Sequence, residues 1–225
     1  MTYDEAMCAL EAAGTAQNRK VYARHGVCGP MFGVSYAALN QLKKAIKVDH
    51  GLALELWASG VHDARVLATK VADPKRLDED ALNGWVDALD SYPLTDALAE
   101  LVAQSPRAQA LVKRWVGSDE AWRARAGWGV LGRLAAKGEA DDALFAPYLD
   151  TIQAEIHARP NRVRESMNWA LIAIGGRSEA LKRKALAVAE AGGPVEVDHG
   201  QTSCKTPEAS AYIEKVWARK KRRKR

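Results

Sequence analysis

Three stretches decide the fold: LELWASGVHDARVLATKV at 54–71, VKRWVGSDEAWRARAGWGV at 112–130 and QAEIHARPNRVRESMNWAL at 153–171. Each contains an apolar helical segment, a tight turn and a second helical segment that begins near an arginine. The second and third stretches align at an offset of 41 residues, which places Arg123 over Arg164 and Trp128 over Trp169. The first and second align at an offset of 58 residues, which leaves room for an additional helix. The sequence therefore contains an internal repeat built from pairs of helices.

The 41-residue offset matches the period of HEAT and armadillo helix pairs, about 40–47 residues. Elsewhere, apolar residues also recur at helical spacing, and no run alternates with a period of two residues. Because a pair of short helices cannot bury its own apolar face, neighbouring pairs must stack. We therefore predict an all-α fold, a curved α-solenoid of HEAT-like helical repeats. The predicted helices are 3–13, 16–25, 36–47, 52–59, 64–72, 78–89, 94–103, 108–116, 120–136, 143–157, 162–174, 179–191 and 207–220.

Charge divides the chain into one predicted domain, residues 1–219, and a basic C-terminal tail, residues 220–225. The last twelve residues hold eight of the 33 Lys and Arg residues and one of the 28 Asp and Glu residues. The remaining chain then holds 25 basic and 27 acidic side chains, so the net charge of +5 is a property of the tail. A basic terminus attracts any polyanion, but it does not by itself identify a ligand.

The composition excludes several classes of protein. Cys8, Cys28 and Cys204 are odd in number and far apart, which argues against a disulfide framework or a zinc ribbon. Only His199 and Cys204 approach the spacing of metal ligands, so we expect no metal and no cofactor. No export signal is recognisable, and charged residues interrupt every apolar run before it could span a membrane. We expect a monomeric cytoplasmic protein that does not interact with membranes.

Five arginines lie near the start of the second helix of a pair: Arg65, Arg123, Arg125, Arg162 and Arg164. Second helices tend to line the concave side of such arrays, so these side chains could form a basic inner groove. The same spacing fits ordinary exposed charges equally well.

The repeats and their arginines resemble those of the AlkD-like DNA alkylation repair family, which are alkylpurine DNA glycosylases with HEAT-like repeats. The stretch GLALELWASGVHDARVLATKVADP at 51–74 resembles an early repeat of the family, RWVGSDEAWRARAG at 114–127 a middle repeat, and VRESMNWALIAIG at 163–175 a later one. The segment VEVDHGQTSCKTPEASAYIEK at 195–215 is also familiar from a subset of such proteins, without any assigned chemistry. The resemblance covers nearly the whole chain and implies a nucleoid-associated protein whose partner is double-stranded DNA with alkylated purines.

The resemblance implies a catalytic acid. In the family this acid closes a motif of the type Asn/Ser-Trp-Asp-Leu-x-Asp, and SYPLTD at 91–96 occupies that place, which makes Asp96 the implied carboxylate. Tyr92 replaces the aromatic residue of the motif, and Pro93 replaces its first acid. A gap-free alignment with the middle repeat selects Asp90 instead, so both acids stay open, with Asp87 as a further alternative.

The resemblance also implies the residues that contact DNA. The second family aromatic falls on Trp169, and together with Tyr92 it would pack against the deoxyribose and the cationic lesion. The arginine that grips the lesion strand falls on Arg125, and Arg123 and Arg164 beside it would contact phosphates. The alternative for both Tyr92 and Trp169 is core packing, the usual fate of a tryptophan on a helix.

A single carboxylate suits the implied reaction. An N3- or N7-alkylated purine carries a positive charge and is already a good leaving group, whereas ordinary glycoside hydrolysis needs two carboxyl groups. Asp96 would stabilise the sugar cation and orient water. Pro93 favours the first turn of a helix, so we expect Asp96 to lie near the positive end of the helix dipole. An acid at such a position could equally serve stability alone.

The leading hypothesis is therefore a DNA glycosylase that hydrolyses the N-glycosidic bond of cationic alkylpurines in duplex DNA without flipping the base. A second hypothesis is a non-enzymatic HEAT-repeat binder of distorted or branched DNA, motivated by the altered SYPLTD motif. A third is a HEAT-type scaffold for protein interactions, in which the basic tail is incidental.

Overall fold

The structure, a computed structural model, describes residues 1–138 and 140–223. Within these ranges the chain forms thirteen α-helices, a 3-10 helix at Asp142–Leu144 and no strand, with an isolated bridge between Gly14 and Val34. The helices are α1 (Tyr3–Ala13), α2 (Ala16–Arg24), α3 (Tyr36–Ile46), α4 (His50–Ala58), α5 (His62–Val71), α6 (Glu79–Asp87), α7 (Tyr92–Val102), α8 (Ala108–Trp115), α9 (Ala121–Lys137), α10 (Ala146–Glu155), α11 (Asn161–Gly175), α12 (Glu179–Gly192) and α13 (Ala209–Arg223).

The all-α prediction is confirmed, and each predicted helix is present with its ends shifted by at most three residues. The helix α10 begins late because Pro147 occupies its first turn, where a missing N–H costs nothing. The helix α13 ends late, so the first four residues of the predicted tail are helical. Lys224 and Arg225 of that tail lie outside the described residues. No helix in the described ranges is long and apolar enough to cross a membrane.

Side-chain caps explain where several of these helices begin. The Thr2 hydroxyl accepts the Glu5 N–H at 3.2 Å, and the Glu5 carboxylate accepts the Thr2 N–H at 2.8 Å. Such caps satisfy N–H groups that have no partner within the helix. Single hydroxyl or carboxylate caps begin α2, α3, α4, α6 and α12, at Thr15, Ser35, Asp49, Asp78 and Ser178.

Residue contacts group the chain into two compact units. Unit 1 comprises Met1–Ala108 together with Gly200–Thr202. Unit 2 comprises Gln109–His199 and the chain from Ser203 onwards. The boundary between them along the chain falls at the start of α8.

The core of unit 1 is centred on α5, which packs against α3, α4 and α7. Its buried Asp63 carboxylate accepts backbone N–H groups from Phe32 at 2.7 Å, Gly33 at 3.2 Å and Val34 at 2.7 Å. These bonds satisfy a buried charge and fix the loop between α2 and α3. Arg65, also on α5, donates to the carbonyls of Trp57 at 3.2 Å and Ala88 at 3.3 Å, so it contributes to the packing of this unit.

The core of unit 2 is the long interface between α9 and α11. A Cβ added to Gly132 would lie 3.5 Å from the Ala170 Cα, which shows how closely the two helices approach. A Cβ on Gly127 would lie 2.7 Å from the Val116 nitrogen, so only glycine lets the turn after α8 pack on α9. Trp115 and Trp128 are each 1 % exposed and belong to this core.

Candidate functional site

The predicted carboxylate Asp96 lies in unit 1, half-buried on α7. It shares its surroundings with Tyr36 of α3, since the negative charges of Asp96 and Asp63 add to burial in raising the pKa of the Tyr36 phenol. The Lys70 ammonium of α5 lies 5.4 Å from the centre of the Tyr36 ring and donates to Asn40 at 3.1 Å. We call this group the α3–α5–α7 patch: Tyr36, Asn40, Lys43, Lys70, Asp96 and Glu100.

Lys70 is a partly desolvated cation within this patch. Burial and the neighbouring Lys43 lower the pKa of the Lys70 ammonium, while Glu100 opposes this shift. Tyr36 is 44 % exposed, so the aromatic side of the patch remains open to solvent. The patch thus combines an accessible aromatic ring with charges of both signs.

The expectation that Asp96 lies near the positive end of the helix dipole is wrong. The helix α7 begins at Tyr92, two residues earlier than predicted, and no acid lies in its first turn. Asp96 is the fifth residue of the helix, and the influence of the macrodipole falls off within the first turn. Whatever charge stabilisation Asp96 receives must therefore come from the side chains around it.

Tyr92, the predicted sugar-contacting aromatic, is half-buried and turned towards its own unit. Its hydroxyl is hydrogen-bonded to Nδ1 of His25, and the two rings meet edge to face with centroids 5.7 Å apart. The hydroxyl therefore holds the ring against the end of α2.

The alternative acids lie in different surroundings. Asp87 is exposed at the last position of α6, and Asp90 is exposed in the loop that follows. Burial lowers the pKa of the neighbouring His62, and the carboxylates of Asp63 and Asp90 oppose that shift. Asp96 is thus the only one of the three proposed acids that is half-buried.

Arg125, the predicted phosphate ligand, lies in unit 2 and is 4 % exposed. Its Nη1 donates to the Glu165 carboxylate at 2.8 Å and to the Arg162 carbonyl at 2.8 Å. Arg162 donates to the same Glu165 oxygen at 3.1 Å. Nδ1 of His199 lies 3.8 Å from the other oxygen. Glu165 is thus the centre of a cluster that engages Arg125, Arg162 and His199, which we call the Glu165 cluster.

The two arginines predicted beside Arg125 are also partly enclosed. Arg123 and Arg164 are half-buried at the amino-terminal ends of α9 and α11. Nε of Arg164 is buried and has no hydrogen-bond partner within the described ranges. The predicted arginines lie in the amino-terminal parts of α9 and α11, and the structure does not present them as a row of open cations.

The segment between α12 and α13, to which the sequence assigned no chemistry, is attached to α11. The Asn161 side chain donates to the Asp198 carbonyl and accepts the Asp198 N–H, both at 2.8 Å. Asn168 donates to the Pro207 carbonyl at 2.9 Å, and His199 is hydrogen-bonded to Thr206 at 2.9 Å. The segment therefore serves to place His199 beside Glu165.

Trp169 is on α11 but outside the core, with 43 % of its surface exposed. Tyr212 of α13 meets it edge to face with ring centroids 5.4 Å apart. Trp169 also lines a cavity of about 330 Å³ bounded by α9, α11, α13 and the start of the 3-10 helix at Asp142. The core-packing alternative for Trp169 is therefore wrong.

The described residues, 1–138 and 140–223, contain no candidate metal site. No three His, Cys, Asp or Glu side chains there lie close enough together to hold a metal ion.

A family model described as DNA alkylation repair enzyme matches residues 6–213. This protein belongs to the DNA alkylation repair enzyme family. Uncharacterized proteins of Listeria innocua serovar 6a and Listeria monocytogenes serovar 1/2a are similar to it. The first is 29 % identical, covering 96 % of this chain and 97 % of the relative. The second is 28 % identical, covering 98 % of this chain and 100 % of the relative.

A solved structure confirms the HEAT-like repeat fold. It is described as representing a new family of proteins related to the HEAT-like repeat DNA glycosylases with affinity for branched DNA structures. It matches with a TM-score of 0.88 and 30 % identity, covering 98 % of this chain and 95 % of the other.

In this member of the DNA alkylation repair enzyme family, the sequence did not identify several residues that contact the predicted site residues. Glu165 could have been found, because it follows Arg162 at the three-residue spacing of helical ion pairs. His25 and Tyr36 carry no signal in the sequence, since they meet Tyr92 and Asp96 only through tertiary packing.

Proposed function

We propose that this protein binds branched or distorted duplex DNA and does not cleave a glycosidic bond. The observation that carries the proposal is the relative with affinity for branched DNA, which is 30 % identical and matches 98 % of this chain. Two departures from the glycosylase motif agree with it. Tyr92 stands where the motif has a tryptophan, and Pro93 stands where it has its first acid.

The Glu165 cluster supports the same proposal. Arg125 occupies the position of the arginine that grips the lesion strand in the glycosylases, yet it is 4 % exposed and paired with Glu165, which is 12 % exposed. Breaking a buried ion pair costs about 3–5 kcal/mol. That cost shows how strongly the pair is held, and a phosphate could reach Arg125 only by entering this enclosed site. This arginine is therefore better suited to holding α9 against α11.

Exposed cations for the DNA backbone are available on α13. Along the part of this helix whose side chains are described, up to Arg222, five basic side chains are exposed: Lys215, Arg219, Lys220, Lys221 and Arg222. Lysines and arginines on such a helix neutralise phosphates without reading sequence. Contacts of this kind suit a protein that recognises the shape of DNA.

The test compares binding and chemistry with the same full-length protein. Binding would be measured to a four-way junction and to linear duplexes of the same arm sequences, and release of 7-methylguanine and 3-methyladenine would be measured on methylated duplex. We expect tighter binding to the junction and no base release. Equal affinity for junction and duplex contradicts the proposal, and undetectable binding to any DNA at low salt would favour the protein scaffold.

A second candidate function is the alkylpurine DNA glycosylase, favoured by the surroundings of Asp96. This carboxylate is half-buried beside an accessible tyrosine, and a partly desolvated carboxylate would stabilise a cationic sugar more strongly than one in water. Base release by the parent protein that disappears in Asp96→Asn, with DNA binding retained, would establish this function. Equal release by both proteins would exclude Asp96 and direct attention to Asp90.

A further inference from the structure

We infer that the cavity beside Trp169 binds an unpaired nucleobase at a DNA branch point. The inference rests on the proposed function and adds a ligand subsite to it. The cavity lies within unit 2, at the carboxyl-terminal ends of α9 and α11, whereas the Glu165 cluster lies at their amino-terminal ends. It is therefore separate from the predicted phosphate-binding arginines.

The size and lining of the cavity suit a flat ring. Its volume of about 330 Å³ is at the lower end of the range for small-ligand pockets, about 300–1,000 Å³. Ala135, Ala173 and Gly176 line it with little side-chain bulk, so a planar group can approach the helices closely. Trp169 contributes an indole ring whose edge-to-face contact with Tyr212 fixes its orientation before a ligand arrives.

The rim offers complementary polar groups. Lys220 lines the cavity, is exposed, and is anchored by its hydrogen bond to the Gly176 carbonyl. It continues a series of exposed cations along α13, which would hold the phosphates that flank the base. At Asp142, which also lines the cavity, the carboxylate accepts Nε–H of Arg177 at 2.9 Å, and this bond together with one from Ser178 lowers the pKa of the carboxyl. A carboxylate has further lone pairs, which can accept an amino N–H of a base.

An unpaired base fits these observations better than a paired one. Stacking on an aromatic side chain requires an exposed face of the base, and single-stranded nucleic acid is commonly held by such stacking together with a cationic path for its backbone. A paired base inside a duplex has both faces covered by its neighbours. A branch point that contains unpaired nucleotides supplies such a base without the cost of opening a duplex.

The experiment measures binding of the full-length protein to a three-way junction with two unpaired nucleotides at the branch. The same junction is prepared fully paired and with abasic residues at the two unpaired positions, which removes the bases but keeps their phosphates. Trp169→Ala should weaken binding to the unpaired junction by about 5- to 150-fold, the range for loss of one base–aromatic stack. Its affinity for the fully paired junction should be unchanged.

Two further variants separate stacking from a structural effect. Trp169→Phe should retain most of the affinity, and Ala173→Leu, which fills the cavity and leaves Trp169 in place, should reproduce the loss. Leu54→Ala is the matched control, because Leu54 is also 43 % exposed but lies on α4 in unit 1. The abasic junction should bind parent and Trp169→Ala equally well, since the base and the indole contribute through the same contact.

The parent protein distinguishes failure of the inference from failure of the proposed function. If the parent does not prefer any branched DNA, the proposed function fails. If it prefers junctions but binds the unpaired, paired and abasic forms equally, only the base-binding cavity is overturned. An equal loss by Trp169→Ala on all three forms would also overturn it, by showing that the indole contacts the backbone.

Discussion

The α3–α5–α7 patch and the Glu165 cluster both contain residues that the family resemblance selects, yet they use their charges differently. In the patch, Asp96 is half-buried, and the neighbouring Tyr36 is 44 % exposed. In the cluster, Arg125 is 4 % exposed, and its Nη1 is engaged by Glu165 and a carbonyl. A matching residue type therefore indicates a shared function only when the fold leaves that residue accessible to a ligand.

The largest expected effect is on stability and concerns the cluster. Glu165→Ala leaves the buried Arg125 without its carboxylate, so the free energy of unfolding should fall by about 3–5 kcal/mol. Urea denaturation measures this change. Glu155→Ala is the control, because the Glu155–Arg159 pair is long at 4.0 Å and Glu155 is 45 % exposed, so its loss should cost at most about 0.5 kcal/mol. Similar losses in the free energy of unfolding for both variants would show that the buried ion pair stabilises the fold no more than the exposed one.

The next largest effect is expected on DNA binding, and its measurement shows which cations contact phosphate. Neutralising Arg219, Lys221 and Arg222 by substitution with Gln should reduce the slope of log affinity against log salt by up to about 2.7, or about 0.9 for each phosphate lost. Lys220 is retained because it anchors α13 to Gly176. Arg125→Ala, measured at a temperature where it remains folded, should leave the slope unchanged. The reverse pattern would show that the Glu165 cluster opens to bind DNA.

A smaller effect is expected from Asp96→Asn. Because Asp96 is half-buried and outside the first turn of α7, the free energy of unfolding should change by less than about 1 kcal/mol. Junction affinity should remain within about twofold of the parent value. Denaturation and equilibrium titration measure the two quantities. A stability loss as large as that of Glu165→Ala would show that the Asp96 carboxylate contributes to the packing of its unit as strongly as the buried pair of Arg125 does.

The smallest effect is a titration within the patch. The Asp96 carboxylate helps to raise the pKa of the Tyr36 phenol, so Asp96→Asn should lower that pKa towards its ordinary value. A raised folded-state pKa stabilises the protein fully below the unfolded value, and this stabilisation is lost as the pH rises through the folded value. Phenolate absorbance follows the titration, and Tyr36→Phe identifies its contribution. An unchanged titration would show that the two groups do not interact.

The sequence was sufficient for the helices because helical spacing, capping residues and turn residues are local signals. It was less informative at helix ends, where the helix predicted to begin at Leu94 already begins at Tyr92.

The site was harder to predict because its decisive contacts join residues far apart in the chain. Arg125 and Glu165 are 40 residues apart, and His25 and Tyr92 are 67 apart. Spacing could identify which arginines recur, but it could not show that one of them is neutralised by the neighbouring helix. The family resemblance had the same limit, since it matches residue types and not their exposure.

The attachment of the segment between α12 and α13 has a consequence for local motion. The Asp198 amide belongs to a stretch without regular secondary structure, yet its hydrogen is bonded to the Asn161 side chain at the start of α11. Amide exchange at this position requires that contact to open, so its protection should follow the fraying of the first turn of α11 more closely than that of its neighbours in the segment. An irregular stretch of chain can thus report on the order of a helix that it only touches.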